Sequence, residues 1–289
     1  MRYLAKAKIN LTLDVVGKLP DGYHQIKSLV LKIPLFDVIE IDEGEKGIYF
    51  TGEGVREDNT VKKALDLFLK EINVKKEFSV KIIKNIPIGS GLGGGSSDAA
   101  SVLKALNSIF GYPLSLEDLL NIGAEIGSDV PLFIREENLL LIENKGEKVM
   151  PIYVKDREFF IAVVFPGFRI STSRVYSLVD EYSYFNTSTD TVLDRLISNE
   201  DFLSYLKNDL EKFAIKLNPG LVKFKEELKG FNPDALVLSG SGSSYALFFK
   251  NPQSLFLLEK SLKNSPLQVF LFHVLGWEKI YRIDRQTKE

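Results

Sequence analysis

Nine consecutive residues, Gly89-Ser90-Gly91-Leu92-Gly93-Gly94-Gly95-Ser96-Ser97, contain five glycines and three serines, and no other stretch restricts the fold as strongly. Phe78 to Lys84, just before it, alternates as a half-buried strand does. Behind it Ala99, Leu103, Leu106 and Phe110 recur at helical spacing, which predicts a helix over 96–110. Consecutive glycines let backbone amides turn inward and approach an anion without a Cβ clash. The opening of a helix adds unpaired N–H groups and the positive end of its dipole, and Ser96 and Ser97 add hydroxyl donors. Such a nest suits a polyphosphate. A plain flexible turn has no need of that composition between a strand and a helix.

Two familiar polyphosphate loops fit poorly. Gly89-x-Gly91-x-x-Gly94 has the spacing of the dinucleotide fingerprint, but a second helix follows, and no strand ending in an acid lies about twenty residues on. A Walker A loop requires Gly-Lys-Ser/Thr, and Ser96 stands where the lysine belongs.

With 289 residues the chain suits two medium domains or one large one. Tyr3, Ala5, Ala7, Ile9, Leu11, Leu13 and Val15 alternate with Lys6, Lys8, Asn10, Thr12 and Asp14, predicting a strand with one polar face. That face is either solvated or turned into a site. Leu19-Pro20-Asp21-Gly22 is turn chemistry, and strands are expected at 36–41 and 47–51. Asp58-Asn59 offers a cap to a helix carrying Val61, Ala64, Leu65, Phe68, Leu69 and Ile72. A further helix begins behind Ser115, with Asp118 completing an approximate capping box, and stops at Gly127.

Strands at 139–142 and 148–152 close the first half, and 159–165 opens the second as a strand. Helical patterns fill much of 172–228, interrupted by the polar stretch 182–190. The end reads strand (235–238), glycine-serine turn (239–244), strand (245–249), helix (254–262), strand (269–274). Strands and helices mix without a regular βαβ repeat, so the expected class is α+β, divided near residue 155 into domains 1–155 and 156–289.

Charge and cysteine content remove whole classes of function. Lys and Arg total 37 against 39 Asp and Glu, a formal net charge of −2, which gives no footprint for nucleic acid. No apolar run approaches the roughly 18 residues of a membrane helix, and the N-terminus alternates instead of forming a signal-peptide core. The absence of cysteine rules out disulfides, thiolate metal sites and a cysteine nucleophile, and makes a reducing cytoplasm the expected compartment. The 2 histidines, His24 and His273, lie far apart, so no histidine-based metal site is expected. Composition fixes no oligomeric state.

The run Pro87-Ile88-Gly89-Ser90-Gly91-Leu92-Gly93-Gly94-Gly95-Ser96-Ser97-Asp98-Ala99-Ala100 resembles the phosphate-binding motif of the GHMP kinases, which include galactokinase, homoserine kinase and mevalonate kinase. Other segments narrow the likeness. Ala7-Lys8-Ile9-Asn10-Leu11-Thr12-Leu13 and Asp21-Gly22-Tyr23-His24 look like the N-terminal signature of the 4-diphosphocytidyl-2-C-methyl-D-erythritol kinase family. Gly127-Ser128-Asp129-Val130-Pro131-Leu132-Phe133 looks like its catalytic-aspartate segment. Leu238-Ser239-Gly240-Ser241-Gly242-Ser243-Ser244 resembles the third GHMP motif. These segments keep the family's order and span residues 7 to 244.

The resemblance implies a ribosomal-protein-S5-like N-terminal domain that binds ATP, a ferredoxin-like C-terminal domain, and a substrate cleft between them. It implies an ATP-dependent kinase acting on the 2-hydroxyl of a small molecule that carries a cytidine diphosphate group. ATP chemistry also implies Mg2+, with no ligand assigned. The alternatives are another GHMP kinase, acting on mevalonate, homoserine or a sugar, and a non-catalytic nucleotide-binding module.

Phosphoryl transfer to an alcohol needs positioning, charge stabilisation and a proton acceptor. The resemblance assigns the acceptor to Asp129, which read alone could equally be a loop aspartate capping an amide. It assigns Lys8 as Asp129's cationic partner, places Lys8 and Asn10 beside the methylerythritol end, and gives Lys6 no such role. Thr172 aligns with another contact to that end. Tyr23 and His24 would serve the cytidine, by stacking and by the backbone at the histidine. Tyr176 aligns with a second stacking ring or packs in a helix core. Asn59 and Pro87 join Gly89, Ser90, Gly91, Leu92, Gly93, Gly94, Gly95, Ser96 and Ser97 around ATP. Gly240 and Ser241 either line the cleft or merely connect two strands.

Overall fold

The computed structural model describes residues 1–44, 47–51, 59–179 and 187–283. Asp58 and residues 182–186 of the polar stretch lie outside the described residues, as does the side chain of Asn59. The elements run β1 (Arg2–Asn10), β2 (Thr12–Lys18), β3 (His24–Glu43), β4 (Gly47–Thr51), α1 (Asn59–Glu71), β5 (Phe78–Ile83), α2 (Gly94–Ile109), α3 (Leu116–Ile126) and α4 (Val130–Ile134). They continue with β6 (Leu139–Asn144), β7 (Lys148–Pro151), β8 (Phe159–Phe165), α5 (Thr172–Val179), α6 (Ser188–Ile197), β9 (Lys207–Asn208), α7 (Glu211–Leu217) and α8 (Gly220–Lys229). The last are β10 (Ala235–Leu238), β11 (Tyr245–Phe249), α9 (Pro252–Leu262), β12 (Gln268–Gly276) and β13 (Lys279–Ile283).

Among the described residues two sheets form, one of eight strands (β1–β7 and β9) and one of five in the order β10-β11-β8-β12-β13. The class is α+β. The first sheet is organised by β3, whose 20 residues accept several partners along their length. One edge takes β1 over Val30–Glu40 and β2 over His24–Lys27. The other takes β6 over Ile26–Leu31 and β5 over Val38–Glu43. Because β3 is covered on both faces, Leu29, Val30, Leu31 and Ile33 are all fully buried. A strand buried on both faces shows no alternation, which is why only its last part was legible as a strand.

The alternating N-terminal run is two strands, not one. It breaks at Leu11, whose N–H donates to Leu29 O at 2.8 Å. A register shift between Lys6 and Ala7 also re-aims the side chains. Ala5 therefore packs in one core with Leu13 and Val15, while Ala7, Ile9 and Leu11 pack in another with residues of the second sheet. The step from Lys6↔Phe36 to Ala7↔Ile33 leaves Pro34 and Leu35 of β3 without partners in β1, an irregularity that bends the pair locally. Lys8, Asn10, Thr12 and Asp14 are consequently buried, at 4%, 1%, 0% and 1% exposure, so the polar face is not solvated.

Candidate active site

The glycine loop joins β5 to α2. Gly89, Gly91 and Gly93 have φ of +68°, +83° and +76°, the left-handed region that side chains rarely adopt. Gly93 occupies the N-cap position, so α2 opens at Gly94, two residues earlier than its apolar spacing predicts. The loop packs against the Ser239–Ser244 turn that links β10 to β11. There Ser244 N donates to Ser90 O at 3.0 Å and Ser239 Oγ donates to Gly91 O at 3.0 Å. The second glycine turn is therefore both a strand connector and a wall of the site.

Beneath the loop runs the buried polar ladder of β1 and β2. Lys8 N donates to Leu92 O at 3.0 Å, tying strand to loop. Lys8 Nζ donates to Asn10 Oδ1 at 2.6 Å, and Asn10 Oδ1 also accepts from Gly240 N at 2.9 Å. Asn10 Nδ2 donates to Ser28 Oγ at 2.8 Å, and Ser28 Oγ donates to Thr12 O. Thr12 and Thr189 share a hydroxyl contact of 2.7 Å. Asn10 thus ties β1 to the second glycine turn through Gly240 N and to β3 through Ser28.

Lys8 Nζ lies 3.7 Å from Asp129 Oδ2, with the two side chains 5% and 35% exposed. Burial lowers the Lys8 pKa below the ordinary lysine range, and Asp129 pulls against that shift. Asp129 occupies the N-cap position of α4 but makes no capping hydrogen bond with its side chain. The reading of a simple capping aspartate is thereby removed, and its carboxylate is available to the cleft.

These residues line one cavity of about 980 Å³. It brings together Lys8, Asn10, Asp129, Pro87, Gly89 through Ser96, Tyr23, His24, Thr172, Tyr176, Gly240 and Ser241. Thr172 Oγ1 and Ser241 Oγ are 2.7 Å apart, and Tyr176, one turn along α5, stacks on His24 at 5.3 Å between ring centroids. Tyr23 stands at the mouth, 59% exposed. Ser97 does not line the cavity; it is buried at 1% inside α2, where its backbone N–H bonds Gly93 O.

Sequence reasoning leaves out several members, although it allows Lys84 a place near the adenine pocket. Lys84 carries a buried ion-pair triad, 2.5 Å from Asp37 and 2.6 Å from Asp98. Burial works against its charge, yet Asp98 and Asp37 hold its pKa above the ordinary lysine value. Asp37 Oδ1 also accepts from the N–H groups of Asn85 and Ile86, fixing the approach to the glycine loop. Asn208 Nδ2 donates to Leu238 O and Gly240 O, both at 2.7 Å, clamping the second turn. Lys145, paired with Asp21, stands 4.9 Å from the Tyr23 ring centroid, and Arg169 lies against Gly89. Asp21 and Asp98 lie within quoted motifs and Lys84 and Asp37 within expected strands, but Asn208, Lys145 and Arg169 sit in no motif or periodic stretch.

At the far end of α4, Lys32 Nζ donates to Arg135 O at 2.5 Å and is 3% exposed. Burial first, then Lys104 and Lys6, lower its pKa to about 7, against the pull of Glu136 and Glu278. Between about pH 7 and the ordinary lysine value of 10.5 the unfolded chain binds more protons, so stability rises with pH there. Below about pH 7 the cost of burying the ammonium is present in full. The stability difference between wild type and Lys32→Met, from urea unfolding, is expected to move in favour of wild type from about pH 6 to about pH 9. An unchanged difference would mean that Lys32 titrates normally.

The chain is similar to known proteins in both sequence and fold. Residues 59–137 match the family described as GHMP kinases N terminal domain. A protein of Clostridium kluyveri named 4-diphosphocytidyl-2-C-methyl-D-erythritol kinase is 36% identical over 274 residues, covering 92% of this chain and 97% of the relative. A crystal structure of 4-(cytidine 5'-diphospho)-2C-methyl-D-erythritol kinase superposes with a TM-score of 0.78 at 28% identity, over 96% of this chain and 100% of that one. Homoserine kinase from Cytophaga hutchinsonii superposes with a TM-score of 0.71 at 14% identity, over 98% and 97% of the two chains. At that identity the likeness speaks for the fold alone.

Proposed function

Because the chain belongs to the 4-diphosphocytidyl-2-C-methyl-D-erythritol kinase family, we propose that the cavity under the glycine loop is its active site. The enzyme transfers the γ-phosphoryl group of ATP to the 2-hydroxyl of 4-diphosphocytidyl-2-C-methyl-D-erythritol. The products are the 2-phosphate and ADP, on the non-mevalonate route to isoprenoid precursors. The observation that carries the site assignment is the Lys8–Asp129 pair, 3.7 Å apart and tied through Lys8 N to Leu92 of the loop.

Each part then has a task. The amides of Gly89 to Gly95 and the opening turn of α2 hold the triphosphate. Asp129 accepts the proton of the acceptor hydroxyl, while Lys8 keeps the carboxylate oriented and balances charge as the transfer proceeds. Asn10 and Thr172 border the methylerythritol end, and Gly240 and Ser241 line the cleft near the substrate phosphates. A division near residue 155 separates the ATP-binding part from the part that carries Thr172, Tyr176 and the second glycine turn. A cysteine-free chain of this kind works in the cytoplasm.

Magnesium fits these residues as an ion held chiefly by the nucleotide. Among the described residues no group of three His, Cys, Asp or Glu is placed to hold a metal. Magnesium keeps several waters and takes one or two carboxylates plus substrate phosphates. Asp129 and Asp21 are the carboxylates that line the cavity, and Ser96 lines it as well. The ion would neutralise phosphate charge when bound.

Tyr23 supplies the stacking face for cytosine, an interaction worth about 1–3 kcal/mol per base. Tyr23→Ala should raise KM for the cytidylated acceptor about tenfold while kcat and the KM for ATP stay within about twofold. An unchanged KM would remove the stacking role. The function itself is tested by ADP release with ATP and Mg2+, offering the cytidylated acceptor, mevalonate, homoserine and galactose in turn. Turnover confined to the cytidylated acceptor is expected. Turnover with mevalonate, homoserine or galactose instead would assign the chain to another GHMP activity.

A further inference from the structure

We propose that Lys32 is a positioning residue for phosphoryl transfer: by donating to the Arg135 carbonyl at the end of α4 it sets where Asp129, at the start of α4, stands. The proposal rests on the reading of Asp129 as proton acceptor.

The helix has 5 residues, too few to be stable by itself. Its ends must be fixed from outside. Asp129 gives no capping bond at the first end, so its carboxylate is placed by Lys8 and by where α4 sits. At the other end the last carbonyls lack intrahelical partners, and Arg135 O takes the Lys32 ammonium.

The two anchors come from one place in the sheet. Lys8 and Lys32 are directly paired residues of β1 and β3. Lys8 reaches Asp129 at the start of α4, and Lys32 reaches Arg135 at its end. One rung of the sheet thus holds both termini of the helix that presents the carboxylate. Around Lys32 stand Lys6 of β1, Lys104 of α2, and the carboxylates of Glu136 and Glu278. Its ammonium is nevertheless committed to a carbonyl. Burying a lysine for a single carbonyl contact is costly, and positioning the catalytic helix is the return that the geometry offers.

The test compares wild type, Lys32→Met, Lys32→Gln, Asp129→Asn and the Lys32→Met/Asp129→Asn double variant by ADP release with the cytidylated acceptor. A misplacement of about 1 Å from outside the chemistry can cost up to about 10²-fold. Lys32→Met should therefore lower kcat by about tenfold with both KM values within about twofold. Lys32→Gln keeps an N–H donor and should recover most of that loss. In the Asp129→Asn background, removing Lys32 should change kcat no further, because its effect passes through the carboxylate.

The proposal is overturned by a kcat for Lys32→Met within about twofold of wild type, or by multiplicative losses in the double variant. It is also overturned if folded Lys32→Gln loses as much as Lys32→Met. A crystal structure of Lys32→Met decides independently of turnover. Displacement of Asp129 by more than about 0.5 Å is expected, and an unmoved α4 contradicts the proposal. Should wild type itself fail to turn over the cytidylated acceptor, the functional reading falls, while that structure still tells whether Lys32 places Asp129. If Lys32→Met does not fold, Lys32→Ala, which also removes the donor, carries the same structural and kinetic test.

Discussion

Asp129→Asn is expected to lower kcat by about 10²–10⁴ while leaving ATP binding intact, the loss typical of a positioned base. Asparagine keeps the size of the side chain and can still accept from Lys8, but it cannot take a proton. The substitution breaks no helix cap, since the Asp129 side chain makes none. Lys8 is left 5% exposed without its counter-charge, which costs some stability. Because the Asp129 carboxylate is 35% exposed, that cost falls short of a fully buried pair. Steady-state kinetics with saturating acceptor, alongside ATP binding by calorimetry, separates the two effects. A nearly unchanged kcat would remove Asp129 from the role of base.

The largest effect on folding is expected at the contact between the two glycine turns. A Cβ at Gly91 would stand 2.1 Å from Ser239 O and 3.0 Å from Gly242 O, both backbone atoms that no side-chain rotation can move away. Its φ of +83° adds about 1–2 kcal/mol for any L side chain. Gly91→Ala must therefore push the turns apart and break the Ser239–Gly91 bond. It should destabilise by about 4 kcal/mol or more, the range reserved for a named structural failure. Gly111→Ala is the control: its φ is +75° with nothing within 4 Å of the added carbon, so only the conformational cost remains. Urea unfolding measures both. Equal losses at the two positions would show that the turns do not depend on close approach.

Legibility in the sequence followed how local each signal is. Ser115, with its reciprocal partner Asp118, and Gly127 bracket α3 as read, because caps are made within four residues. The strand at Phe159–Phe165 was legible as a continuous apolar run, and all seven residues are buried. The glycine loop declared a phosphate nest because the need for positive φ is written in residue type.

What escaped was set by distant partners. α4 is a turn of buried apolar residues behind Gly127-Ser128-Asp129 and carries too few residues for a period to show. Lys84 looked like the polar end of a strand, although Asp37 and Asp98 draw it into the interior from two other elements. Lys8 and Lys6 were alike in the alternation. The shift between Lys6 and Ala7 separates them, sending Lys8 to Asp129 and Lys6 to Asn138. Asn208 became important only because β9 lies beside β2 in parallel, near the second glycine turn. The resemblance marked Lys8 and Asp129 where periodicity could not, and the folded chain supplies the physical reason they meet.

The most direct measurement is a crystal structure with the cytidylated acceptor and a non-hydrolysable ATP analogue bound together. The 2-hydroxyl should lie within about 3.2 Å of an Asp129 carboxylate oxygen, with the γ-phosphate seated on the Gly91–Ser96 amides. An acceptor hydroxyl more than about 5 Å from both Asp129 and Lys8, or a triphosphate bound away from that loop, would contradict the account.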